Sequence, residues 1–137
     1  MKILKILSFV LLLLVAAYTF STKPKNEPVT AKQNDGMSIE EYLRRVDNKE
    51  KIVLVYFSAD WCVPCVKLKP TIEQLATEEK DHAELINIDV DNNPKIALHF
   101  EINTLPLFYI YKKGKKVWEN NTSMSKADLQ KKIRMYE

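Results

Sequence analysis

Ile52-Val53-Leu54-Val55-Tyr56-Phe57-Ser58-Ala59-Asp60-Trp61-Cys62-Val63-Pro64-Cys65 is the stretch whose reading decides the fold. Ile52 to Phe57 is a nearly continuous apolar run rich in β-branched residues, as a buried central strand requires. The chain's two cysteines follow at once, with two residues between them. That spacing lets one helical turn bring both sulfurs together, so the pair can close into a tight, reducible disulfide without large backbone movement. With no third or fourth cysteine, a Cys₄ zinc ribbon is excluded. A mixed site would need His82 and His99, which lack the close spacing of a zinc-finger half-site. Thiol–disulfide exchange is the leading reading. A small structural staple, or two reduced core thiols, are the bland alternatives, and the proline between the cysteines and the tryptophan before them argue against both.

Outward toward the N-terminus, Met1 to Phe20 begins with Lys2 and Lys5 and continues through Ile6–Ala17, where Ser8 is the only polar residue. This reads as an export segment rather than part of the fold. Val15 and Ala17 suit a signal-peptidase cut after Ala17. The uncharged stretch Ile6–Thr22 also reaches the lower edge of what spans a bilayer. Residues 1–22 are therefore expected to be a signal peptide or an N-terminal membrane anchor, with both readings open. No cysteine lies near the end of the apolar run, so a lipid anchor on cysteine is excluded. Residues 23–36, with two prolines and Val29 as the one weakly apolar residue between Lys23 and Asp35, read as a flexible tether. Residues 37–137 remain for one domain. From Gly36 onward the chain holds sixteen Lys and Arg and sixteen Asp and Glu, so the whole-chain charge of +3 comes from the N-terminal segments. A nucleic-acid partner gains no support from that balance. Lys112, Lys113, Lys115 and Lys116 surround Gly114 and read as a solvated turn.

The remaining elements follow from caps and periodicity. Ser38-Ile39-Glu40-Glu41 matches a capping box, with Glu41 reaching back to Ser38, and starts a short helix to about Val46. Cys62 opens a helix to about Lys80, with Val66, Leu68, Ile72, Leu75 and Ala76 as its apolar face and Pro70 as a kink. Leu85–Val90 is a second strand. Asn93-Pro94 caps a helix to about Phe100. Leu107–Tyr111 and Lys116–Glu119 form a hairpin across Gly114, and Ser125 caps a last helix carrying Leu129, Ile133 and Met135. The order α, β, α, β, α, β, β, α predicts an α/β fold with a mixed central sheet and helices on both faces.

At this point the chain resembles the thioredoxin family over about Ser38 to Tyr136. The resemblance rests on Ser58 through Cys65 with Pro70 downstream, Asp89-Val90-Asp91-Asn92-Asn93-Pro94, Ile102-Asn103-Thr104-Leu105-Pro106, and the Lys113-Gly114 turn. It implies a thioredoxin-like sheet and thiol:disulfide oxidoreductase activity. Carried over, Cys62 matches the exposed nucleophile and Cys65 the buried resolving thiol. Pro106 matches the family's cis-proline, whose loop, with Thr104 and Leu105, faces the dithiol and holds substrate backbone in an extended pose. Trp61, Val63 and Pro64 complete the expected substrate contacts, with Trp61 an aromatic shelf rather than core packing. Physical chemistry supports Cys62 independently, because a sulfur at a helix N-terminus sees unpaired N–H groups and the positive end of the dipole, which stabilise the thiolate. Pro64 in the first turn sacrifices no helical hydrogen bond.

Two departures bear on mechanism. The family commonly buries an aspartate behind the resolving cysteine and pairs it with a lysine on the neighbouring strand; here those positions hold Tyr56 and Asn87. A neutral hydrogen-bonded pair beneath Cys65 is expected in their place, and a tyrosine is a poor base at neutral pH. The resulting expectation is an exported, periplasmic or extracytoplasmic reductase of protein disulfides, held at the inner membrane if the N-terminal segment is retained. It touches membrane only through that segment, draws electrons from a membrane-bound donor, needs no cofactor or metal and acts as a monomer. The alternative from another class is a thioredoxin-fold binding or chaperone module with an incidental dithiol.

Overall fold

The computed structural model describes residues 36–137. The expectations for residues 1–22, and for the tether up to residue 35, lie outside them. Among the described residues no helix is long and apolar enough to cross a membrane.

The first helix, α1, is Ile39–Val46, and Ser38 Oγ accepts from Glu41 N at 3.1 Å. Its acidic first turn and basic last turn match the helix dipole. The expected return bond from the Glu41 carboxylate to Ser38 does not form among the described residues; the neighbouring Glu40 carboxyl is held below its ordinary range by its own backbone N–H first and by the Ser38 hydroxyl second. Strand β1 is Ile52–Ser58 and is buried along almost its whole length. Helix α2, Val63–Glu78, follows with Cys62 as its N-cap and Pro70 inside it. Strand β2 is Ala83–Asp89, helix α3 Pro94–His99, strands β3 and β4 Leu107–Lys112 and Lys115–Asn120, and helix α4 Lys126–Tyr136.

The strands form one mixed sheet in the order β2-β1-β3-β4. β1 runs parallel to β2 and antiparallel to β3, which pairs antiparallel with β4. Because strand side chains alternate between faces, β1 feeds two cores. Ile52, Leu54 and Tyr56 face one side, with Phe108 and Ile110 of β3, and are covered by Leu68, Ile72 and Leu75 of α2 and Leu129 and Ile133 of α4. Val53, Val55 and Phe57 face the other, with Tyr109 and Tyr111, and are covered by Tyr42 and Val46 of α1 and Ile96 of α3. The expected architecture, a mixed sheet with helices on both faces, is the one found.

Three local expectations need correction. Val66 is 54% exposed rather than part of the apolar face of α2. The buried positions Cys65, Leu68, Ile72 and Leu75 already complete a helical stripe, and Val66 lies about 100° off it. Asn93 does not cap α3 with its side chain. Its Oδ1 instead accepts from Met37 N at 2.7 Å, while its Nδ2 donates to Asp89 O at 2.8 Å. Met135 on α4 is exposed, whereas Leu129 and Ile133 are fully buried. The basic turn is engaged within the domain, with Lys112 Nζ on the Glu137 carbonyl and Lys116 Nζ on Glu119 and over the Tyr109 ring.

Candidate redox site

β1 and β2 are parallel, so both end at the same edge of the sheet, and the β1–α2 turn carries the cysteines there. Cys62 N donates to Ala59 O at 3.1 Å, and Cys62 O accepts the first helical bond from Val66 N at 3.0 Å. Cys62 is therefore the residue at which irregular chain becomes helix. Pro64 occupies the first turn, where its missing N–H leaves no gap. Cys62 and Cys65 form a disulfide, with their Cα atoms 5.2 Å apart. Within it, Cys62 Sγ also accepts from Cys65 N at 3.3 Å. A main-chain donor thus points at the Cys62 sulfur and none of the described hydrogen bonds points at that of Cys65. Neither cysteine is more than 5% exposed, so in the disulfide form accessibility does not separate an exposed thiol from a buried one. Position on the helix does: the Cys65 N–H points at Cys62, not the reverse.

The neighbours of Cys62, unlike the sulfur, stand in solvent. Trp61 is 68% and Val63 64% exposed. This excludes core packing for Trp61, and its indole Nε1 donates to Asp91 Oδ2 at 3.0 Å, which fixes the ring at the surface. Pro106 is buried, and the Leu105–Pro106 peptide is cis. Leu105 packs against the cluster that contains both cysteines. Thr104 is exposed, its hydroxyl bonded to Asn103 Oδ1.

Tyr56 and Asn87 are register neighbours on β1 and β2. They do not form the expected hydrogen-bonded pair. The Tyr56 hydroxyl donates to the Cys65 carbonyl at 3.2 Å, and Asn87 Oδ1 accepts from Ser58 Oγ at 2.9 Å. Asn87 sits on an edge strand and is exposed, while the phenol is drawn inward, stacked on Phe108 at 4.9 Å between ring centroids. Burial pushes the Tyr56 phenol up to about 12. The group behind Cys65 is accordingly a neutral donor. The motif stretches read from the sequence contain Asp91 and, among the charged side chains beside Cys65, Asp60 and Asp89, with Asp60 the carboxylate that would displace the Tyr56–Asn87 account if it reached Cys65; Lys69 was not singled out. The signal for Lys69 is its place one helical repeat after Cys65, and Asp89 is the β2 residue opposite Ser58.

A dithiol closing the first turn of a helix, at the carboxyl edge of a mixed sheet and beside an X–Pro loop, defines a thiol–disulfide exchange protein. The Thioredoxin family model matches residues 35–135. The thioredoxin of Chlorobaculum thiosulfatiphilum is 41% identical over 86 residues, covering 63% of this chain and 80% of that protein. Thioredoxin H2 of Arabidopsis thaliana is 32% identical over 92 residues, covering 67% and 68% respectively. Among solved structures, a point-mutant thioredoxin from Halobacterium salinarum matches with a TM-score of 0.64 at 31% identity, over 73% of this chain and 86% of that one. The chain belongs to the thioredoxin family. It is a disulfide oxidoreductase of that family, whose substrates are protein disulfides.

Proposed function

We propose that the protein is an exported reductase of protein disulfides in which Cys62 attacks and Cys65 resolves. The Cys62 thiolate attacks one sulfur of a substrate disulfide, forming a mixed disulfide and releasing the other substrate sulfur as a thiolate. Cys65, deprotonated, then attacks Cys62 Sγ and expels the second substrate thiolate, leaving Cys62–Cys65 oxidised and the substrate reduced by two electrons. The observation that carries this assignment is the Cys65 N–H aimed at Cys62 Sγ from the start of α2. It stabilises negative charge on Cys62 and offers none to Cys65.

Trp61, Val63 and Pro64 on one side, and Thr104 to Pro106 on the other, are the proposed walls of the substrate site. Support for the first wall comes from the exposure of Trp61 and Val63 and the anchoring of the indole by Asp91. The reducing direction is favoured because Val63-Pro64 places no histidine between the cysteines to stabilise the thiolate, and hence the reduced form, further. Export rests on the apolar segment after Lys2 and Lys5. A protein outside the cytoplasm is cut off from cytoplasmic reductants, so a membrane-bound dithiol donor is the proposed source of electrons.

The test is a trap. Cys65→Ser in the full chain should accumulate mixed disulfides with other proteins, all attached at Cys62 and all released by dithiothreitol, while Cys62→Ser abolishes insulin reduction. Partners attached elsewhere, or insulin reduction that survives loss of Cys62, would refute the assignment.

A further inference from the structure

Beside Cys65 lies a pocket of about 100 Å³, walled by Tyr56 of β1, Asp60 of the β1–α2 turn, Cys65 and Lys69 of α2, and Asn87 and Asp89 of β2. A polar space of this size holds several water molecules. The four charged or titratable groups that face Cys65 across it do not have equal freedom. Tyr56 is a neutral phenol already committed to the Cys65 carbonyl. Asp89 uses Oδ1 to accept from Asp91 N and Asn92 N, at 2.9 and 3.1 Å, which shapes the turn out of β2. Asp60 and Lys69, by contrast, make no hydrogen bond or ion pair among the described residues, and both are exposed to solvent. Lys69 also stands four residues after Cys65 on α2, so the two share one face of the helix.

We propose that this pocket is the proton exit of Cys65: Asp60 takes the thiol proton through pocket water, and Lys69 stabilises the thiolate left behind. The inference rests on the exchange reaction proposed above and names the groups that perform its second step. In that step the proton on Cys65 Sγ passes through water to the Asp60 carboxylate and on to bulk solvent. The freed electron pair on Cys65 forms the S–S bond to Cys62, and the bond from Cys62 to the substrate sulfur breaks. The departing thiolate then takes a proton from solvent, so protons and electrons balance. An ordinary thiol loses its proton only near pH 8.5. Resolution at neutral pH therefore gains from an acceptor and a nearby cation, and Tyr56 and Asn87 supply neither.

The reduced full chain, kept soluble in detergent, is mixed with 5,5′-dithiobis(2-nitrobenzoate) in a stopped-flow instrument. Attack by Cys62 releases one equivalent of thionitrobenzoate in a first phase, and attack by Cys65 on the resulting mixed disulfide releases a second. Asp60→Asn should slow the second phase about tenfold at pH 7 and leave the first unchanged. General-base contributions run to roughly 10²–10⁴-fold, and a base in an open pocket is partly replaced by water. The variant and wild type should converge above about pH 9, where the thiol ionises without help. Asp60→Glu should restore most of the rate. Lys69→Met should move the rising limb of the second-phase pH profile to higher pH. A second phase in Asp60→Asn with the wild-type rate and profile would overturn the proton exit and leave the exchange reaction standing, as would equal slowing of both phases. An unmoved profile in Lys69→Met would remove Lys69 from it. Release of only one equivalent by the wild type would overturn both the exit and the exchange reaction.

Discussion

The Tyr56 hydroxyl sits where a charged base is usual in this family, and its bond to the Cys65 carbonyl gives it a structural duty instead. Its proton is held in the folded state up to about pH 12, because burial disfavours the phenolate, whereas an unfolded tyrosine ionises near 10. The stability this contributes is complete below about pH 10 and is lost as pH rises from there through about 12. Tyr42, buried and bonded to Tyr111, is raised further and acts in the same direction. Tyr56→Phe should therefore cost about 1 kcal/mol at pH 7, the net worth of one hydrogen bond, and flatten the fall in stability between about pH 10 and 12. Urea unfolding at several pH values measures both. Parallel loss of stability in the variant and wild type over that range would show that Tyr56 does not titrate as argued. The position of Tyr56 was readable from the strand it lies in. Its partner was not, because the docking of α2 that lays the Cys65 carbonyl against the phenol is a tertiary event with no signature in sequence spacing.

At the scale of elements, the strands and caps were legible because each carries its own chemistry. Ser38 and Ser125 accept from the third residue onward, and the run from Ile52 is buried as its composition requires. What failed was assigning a face, or a bond, to a residue with two options. Val66 is apolar and beside the stripe of α2, and a polar environment at the pocket mouth received it. Asn93 is a good cap by type, and the segment arriving at Met37 took its oxygen instead. The hairpin turn shows the reverse case, in which one residue type fits the requirement. Lys113 and Gly114 both have positive φ, 52° and 80°, as a two-residue hairpin turn demands. Gly114 N donates to Val46 O at 3.2 Å, and the Asp47 carboxylate occupies the space a Cβ would need. Gly114→Ala thus meets a backbone penalty of roughly 1–2 kcal/mol and must also displace Asp47. Thermal unfolding should show a loss of at least that size, with insulin reduction at 25 °C unchanged, since the turn lies at the opposite end of β3 from Pro106. A loss under about 0.5 kcal/mol would mean that the turn relaxes freely.

The whole domain hangs on β1, whose alternating side chains enter both cores while its last residues deliver the cysteines. A sheet sandwiched in this way transmits the loss of either helical layer to the other, because each layer covers one face of the same strand. Unfolding should consequently be a single transition, as is usual for domains of this size. Ile133 of α4 and Ile96 of α3 test this from opposite sides, each fully buried in a different core. Truncating either to alanine removes buried methyl and methylene groups and leaves a cavity, a cost of about 2–5 kcal/mol. The two sites share no contacts and are separated by the thickness of the sheet, so the double variant should lose the sum to within about 0.5 kcal/mol. Circular dichroism and tryptophan fluorescence should give coincident urea curves in every variant. Trp61 reports from the dithiol edge, Trp118 from β4, and the far-ultraviolet signal from all helices. If Ile96→Ala shifted the helical signal but left the fluorescence transition in place, the α1/α3 layer would be unfolding separately, and β1 would not couple the two cores.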